Sequence, residues 1–226
     1  MENVLITSAN MGGDSSNVVV EQTIPSKFIF WNDTNTLVRT NSMHPRLHAK
    51  VSRMMSWYLY PNYDYYMWID NRFNIMNSDV VESYISELGD ADALFYRHTE
   101  FSRGRTSIQS EFDFIDNILK NENDHRHEYL NSRYGGQEYE NMKNQIQTYL
   151  NDKDFKDEVM IETGCFVYSK RLIEKQHNIM IDWMLHNMMY SINDQLSLPY
   201  LLFKHKVKYK LIENTTVWTD PRINGK

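Results

Sequence analysis

The stretch Tyr63-Asp64-Tyr65-Tyr66-Met67-Trp68-Ile69-Asp70-Asn71-Arg72-Phe73-Asn74-Ile75 decides how the chain is read. Tyr65 to Ile69 is apolar and aromatic without interruption, and Asp70 ends it. A run this short predicts a strand buried on both faces that leads into a polar loop. The tyrosines of 63–66 resemble a base-stacking surface, but they run directly into the strand and so read as sheet packing. Upstream, Leu47, Val51, Met54, Met55, Tyr58 and Leu59 recur at helical spacing between Arg46 and Tyr60, and Pro61 closes the segment. Farther upstream, Val4 to Ile6 and Lys27 to Trp31 are short apolar runs stopped by polar residues, with Gly12-Gly13 and Asn32-Asp33 beyond them. Both read as strands.

The same alternation continues downstream. Ser78 is a candidate N-cap for a helix through Leu88, and Ala93 to Tyr96 reads as a fourth strand. Ile108, Phe112, Ile115 and Leu119 mark a helical face. Asn121 to Glu138 is polar with Gly135-Gly136 near its end, which predicts a loop with room for helical turns and a candidate lid. A helix follows on Tyr139, Met142, Ile146, Tyr149 and Leu150, then a strand within Val159 to Tyr168 interrupted at Glu162-Thr163-Gly164. Ile179 to Tyr190 is again helical, Tyr200 to Phe203 ends a helix, and Val207 to Ile212 is a last strand. Strands alternating with helices predict an α/β fold: a Rossmann-like, mostly parallel sheet with helices on both faces, in one domain over 1–226.

Composition narrows the function classes. The chain has 226 residues, 41% hydrophobic and 24% charged, with a net charge of −6. That balance opposes broad attraction to nucleic acid. Cys165 is the only cysteine, so an intrachain disulfide or a cysteine-built zinc site is excluded, and its apolar neighbours make it buried filler. The opening MENVLITSANMGG has no basic region and only a three-residue apolar run, so it does not read as a signal peptide. No run approaches the roughly 20 apolar residues of a membrane span. A soluble cytoplasmic protein is expected. The frequent methionine, asparagine and tyrosine suggest an AT-rich, viral coding sequence.

In open α/β sheets, ligands bind beyond the carboxyl ends of the strands. The polar residues there are Asn10, Asp33, Asp70, Arg97 with His98, and Glu162. Polar residues also end strands simply because loops are solvated, so spacing alone names no reaction. The sequence has no P-loop, no GxGxxG, no GxSxG and no HExxH. His125 and His127 sit in the polar stretch and read as solvated rather than as metal ligands.

Three segments in order carry a resemblance: HPRLHAK at His44 to Lys50, YDYYMWIDNRFNI at Tyr63 to Ile75, and ETG at Glu162 to Gly164 followed by INDQLSLPYL at Ile192 to Leu201. Together they resemble the glycosyltransferase-like family that includes plant mucilage-related and ceramidase-annotated members, and more loosely the GT-A glycosyltransferases, over Val4 to Phe203. The resemblance implies a GT-A-like fold and transfer of a sugar from a nucleotide-sugar donor to a glycan, lipid or small-molecule acceptor. It implies that Thr7 to Asn10 and Phe30 to Asp33 face the nucleotide, with Asp33 accepting from base or ribose. Arg46 and Lys50, one helical turn apart, would contact the diphosphate, where cations offset the charge of the leaving group. Asp70 matches the first position of the D-x-D motif that holds Mn or Mg against the diphosphate. The sequence here reads Asp70-Asn71-Arg72, so either Asp70 holds a metal with help from elsewhere or Arg72 itself stabilises the phosphates. Gly164 would permit close approach of substrate. Asp194 and Gln195 resemble the pair near the donor sugar, and either Asp194 or Glu162 would serve as base. Arg97 and His98 would hold phosphate or acceptor. Two alternatives stand beside this reading. One is a transferase acting on a modified nucleic-acid base through a groove of Arg97, Arg103, Arg105, Arg126 and Arg133. The other is a non-catalytic sugar- or nucleotide-binding domain.

Overall fold

Hydrophobic residues on both faces of short strands force the sheet to the centre, and the computed structural model, which describes residues 3–13, 15–36, 44–98 and 104–225, has that arrangement. Six strands stand in the order β2 (Ser26–Trp31), β1 (Val4–Ala9), β3 (Tyr65–Ile69), β6 (Ile161–Ser169), β5 (Ala93–Arg97) and β7 (Tyr209–Ile212). β1 pairs in parallel with β2 and β3, from Val4 opposite Ser26 and Tyr65, and β5 pairs in parallel with β7. β6 alone runs antiparallel, between β3 and β5. The α/β fold with a mostly parallel sheet is therefore as the alternation of elements predicts.

Successive side chains of each strand enter different cores. Val4, Ile6, Met67, Leu94 and Val167 pack under α3 (Val80–Leu88). Leu5, Tyr66, Trp68, Phe95 and Phe166 pack under α1 (Pro45–Met54), α8 (Asn178–Met189) and α9 (Asp194–Lys204). Tyr66 stacks on Tyr168 at 5.1 Å, so the tyrosine-rich stretch is core. Cys165 is fully buried, and burial pushes its thiol up to about 12, which removes it as a nucleophile at neutral pH. A third cluster, around Ile108, Ile146, Tyr149 and Leu196, joins α4 (Ile108–Leu119), α6 (Gln137–Leu150) and α9.

Several boundaries differ from the sequence reading. The helical run from Arg46 splits at Met55 into α1 and α2 (Ser56–Leu59). Asp79, not Ser78, occupies the N-cap of α3, and Ser78 instead gives its carbonyl to the Thr23 N–H at 2.8 Å. The polar stretch 121–138 contains a formed helix, α5 (His127–Tyr134). α7 (Lys170–Gln176) follows β6 directly. β6 also continues through Glu162-Thr163-Gly164 instead of breaking there. The irregularity lies in its pairing: Phe95 faces Phe166 but Tyr96 faces Glu162, so residues 163–165 bulge away from β5 while Cys165 stays opposite Ile69. After β7 the chain returns across the front of the sheet and pairs β8 (Asn224–Gly225) with β4 (Phe73–Asn74). No described helix is long and apolar enough to cross a membrane.

Candidate functional site

The carboxyl ends of β1, β3 and β5 and the amino end of β6 open on one cleft of about 1570 Å³. Its walls are α1, α5, the start of α9 and the returning segment 213–219.

α1 supplies the cations. His44 caps it by accepting the Arg46 N–H at Nδ1 (3.2 Å), and Pro45 occupies the first turn, where a missing N–H costs nothing. From that fixed start Arg46, Lys50 and Arg53 follow at helical spacing and line the cleft. Lys50 Nζ and Arg53 Nη1 donate to the two oxygens of Asp194, one each. Arg53 also lies 4.5 Å from the centre of the Trp68 ring and donates to Thr163 Oγ1 at 3.3 Å. Asp194 sits in the first turn of α9, where the helix dipole favours an anion, and the Trp183 indole anchors its carbonyl at 3.0 Å. Burial opposes the Asp194 charge, but Arg53 and Lys50 override it and hold the carboxyl well below the usual range. Burial in turn pulls the Lys50 ammonium down to about 8, against the attraction of Asp194. At neutral pH the three form a charged triad with little room on Asp194 to accept a proton.

Glu162 is another buried carboxylate of the cleft. Its Oε2 accepts the Val217 N–H at 2.8 Å, and its Oε1 lies 3.7 Å from His98 Nδ1. The Gln195 side-chain NH₂ donates to the Ile161 carbonyl at 3.3 Å, which fixes its orientation, and lies 3.0 Å from His98 Nε2. A neutral His98 therefore carries its proton on Nδ1, the side facing Glu162. Burial, helped by the Arg105 charge, lowers His98 to about 3, so it is neutral across the physiological range.

Asp70 reaches the cleft from the end of β3, and its backbone N–H donates to the Gly164 carbonyl at 2.7 Å. Its Oδ2 is 3.6 Å from the Arg53 guanidinium. Among the described residues no three His, Cys, Asp or Glu side chains converge on a point where a metal could sit. A divalent ion at Asp70 would meet one carboxylate, which already faces the Arg53 guanidinium and accepts the Arg72 backbone N–H at 3.3 Å. These residues do not fit a protein-held metal site.

α5 forms the outer wall. Tyr129 Oη accepts from Arg72 Nη2 at 3.2 Å and from Arg133 Nη1, and the Arg133 guanidinium lies 4.4 Å from the centre of the Tyr129 ring.

Of the residues singled out from sequence, Asn10, Arg46, Lys50, Asp70, Arg72, His98, Glu162, Gly164, Asp194 and Gln195 all meet in this cleft. Two do not line it. Asp33 accepts the Gly12 N–H at 2.8 Å, and Arg97 turns outward to Glu213 at 3.1 Å. The space beside Gly164 is taken by Phe73 and Val217, each 3.2 Å from where a Cβ would lie, so its lack of a side chain serves protein packing. Of the five arginines of the nucleic-acid alternative, Arg105, Arg126 and Arg133 line this cleft, Arg105 paired with Glu111 and Arg126 with Asp124, Arg97 pairs with Glu213 outside it, and Arg103 lies outside the described residues. Sequence reasoning missed Arg53, Tyr129, Trp68 and the segment 213–219. Arg53 was findable, since it continues the helical spacing of Arg46 and Lys50.

Neither a protein family nor any individual curated protein matches the sequence. Among solved structures, the chain is similar to the bifunctional glycosyltransferase WbbM at 12% identity and a TM-score of 0.48, over 93% of this chain and 39% of that one. It is similar to a glycosyltransferase involved in glycosylation of the major capsid of PBCV-1, at 8% identity and a TM-score of 0.42, over 95% and 84% of the two chains. Mouse xyloside xylosyltransferase 1 is similar at 9% identity and a TM-score of 0.43, over 93% and 84%. At these identities the likeness is one of chain path alone.

Proposed function

We propose that the cleft binds a nucleotide sugar and transfers the sugar to an acceptor hydroxyl of a glycan, lipid or small molecule. The observation that carries this reading is the separation of charge within one cleft: a cationic wall from α1 and α5 shares it with the Glu162 carboxylate at the strand ends, which the Val217 N–H orients. The cations suit the diphosphate, whose negative charge grows as it leaves. Glu162 suits the acceptor. In an inverting transfer the acceptor oxygen forms its bond to the anomeric carbon as the carbon–phosphate-oxygen bond breaks. The electron pair leaves with the nucleoside diphosphate, and the hydroxyl proton passes to Glu162. Asp194, with both oxygens committed to Lys50 and Arg53, acts as their counter-charge and orients them. Gln195 holds His98 with its proton toward Glu162.

The test is release of nucleoside diphosphate from a panel of sugar nucleotides, with binding measured separately. Glu162→Gln keeps an oxygen for the Val217 N–H but cannot take a proton. It is expected to lower turnover by about 10²- to 10⁴-fold while leaving donor affinity within about threefold. Wild-type turnover in that variant would remove Glu162 as the base. Donor binding by the wild-type protein without any turnover would favour the binding-domain alternative.

A further inference from the structure

Three guanidinium groups gather at the outer wall of the cleft with no carboxylate among them. Arg72 arrives from the β3–β4 turn, Arg133 from α5 and Arg46 from α1, and all three line the same cleft. Tyr129 accepts from both Arg72 and Arg133 through one hydroxyl, which draws two like charges together. Arg46 stands near enough that the Arg72 charge adds to burial in pulling it below its ordinary value. The other cations of the cleft are spent: Lys50 and Arg53 on Asp194, Arg105 on Glu111, Arg126 on Asp124. Among the described residues neither Arg46, Arg72 nor Arg133 forms an ion pair. Glu138 favours the Arg46 charge from a distance, but its Oε1 accepts the Ile192 N–H. Arg133 Nε is buried without a hydrogen-bond partner.

Like charges held together in a partly desolvated wall are unfavourable unless an anion completes the set. Two planar forks diverging from one phenol, with a third guanidinium nearby, match an anion that offers several oxygens on adjacent phosphorus atoms. The same neighbourhood is the one where Asp70 lacks a second carboxylate. We infer that Arg72 and Arg133, drawn together by Tyr129, and Arg46, held over the Tyr134 ring beside them, form a diphosphate clamp that takes the place of a divalent cation, so that diphosphate binding at this cleft is metal-independent. The identification of that diphosphate as a donor's rests on the nucleotide-sugar reading above.

Inorganic pyrophosphate and a panel of nucleoside diphosphates, titrated calorimetrically into the full chain in EDTA and again in Mn²⁺, test the clamp directly. Pyrophosphate is expected to bind with the same affinity, within about twofold, in both buffers. Arg72→Gln and Arg133→Gln should each weaken it by about ten- to a hundredfold, as loss of a charge-assisted hydrogen bond does. Tyr129→Phe keeps the ring and should weaken it less. Melting curves of the variants separate lost binding from lost folding, since Arg72 lies on a turn and Arg133 is half-buried on α5, whose one buried residue is Leu130. Binding that requires Mn²⁺, disappears in Asp70→Asn and survives both arginine changes would overturn the clamp, as would no pyrophosphate binding in either buffer. Metal-independent pyrophosphate binding with no gain for any nucleoside diphosphate would uphold the clamp and instead overturn the nucleotide-sugar reading.

Discussion

Removing the Asp194 carboxylate leaves Lys50 and Arg53 facing each other where side chains are only about a tenth exposed. An uncompensated buried charge is strongly destabilising, so Asp194→Ala is expected to cost about 3–5 kcal/mol in urea unfolding. A loss below about 1 kcal/mol would mean that the triad is not a unit. Because Asp194→Ala damages stability, its lost activity would say little about chemistry, whereas Glu162→Gln isolates the proton transfer. His98 offers a second residue-level test. Its folded value of about 3 lies below the ordinary 6.5 because of burial. Between those values the unfolded chain takes up a proton that the folded chain refuses. The contribution is therefore complete above pH 6.5 and is lost as pH falls toward 3, with about 2 kcal/mol gone by pH 5. His98→Gln should flatten that part of the stability–pH curve; an unchanged slope would place the acid sensitivity elsewhere.

At the scale of elements, the cleft depends on β6 bulging beside Asp70 and on α1 carrying three cations in register. Gly164→Ala would bring a methyl group to 3.2 Å from both Phe73 and Val217, and Val217 is the residue whose N–H holds Glu162. Destabilisation of about 1–3 kcal/mol is expected, with a parallel loss of turnover. Wild-type stability and turnover would show that the returning segment adjusts freely. Much of this level was legible in the sequence. β3 could be read from its five apolar residues, and α1 from its apolar spacing; the step from Arg46 to Lys50 only had to be continued to reach Arg53. α5 was not legible as a helix because it buries only Leu130, so it carries no apolar period, and its role comes from Tyr129 and Arg133 facing Arg72 across the fold. The bulge at residues 163–165 showed in sequence as a break at Glu162-Thr163-Gly164, because a shift in pairing depends on a partner strand about 65 residues earlier in the chain. Segment 213–219 gave no local signal at all; its place is fixed by packing on Phe73 and by Glu162.

Across the whole molecule, charge is distributed against its own average. The chain carries 24 Lys and Arg against 30 Asp and Glu, a net of −6, yet α1 and α5 gather cations around one cleft. An acidic exterior around a cationic cleft repels a long polyanion while still admitting a small one. A saturating nucleoside diphosphate, at about 100 times its Kd, should add about 2.7 kcal/mol to the folded state and raise Tm by about 5–10 °C for a chain of this length. The shift should shrink as salt rises, since the wall is partly open to solvent. A duplex oligonucleotide under the same conditions should give none, because Arg97, Arg105 and Arg126 are already paired with carboxylates. A salt-sensitive shift with DNA and none with nucleotides would assign the cleft to a nucleic-acid substrate. A shift with nucleotides alone would tie the cleft's charge to a small diphosphate and leave only the acceptor to be found.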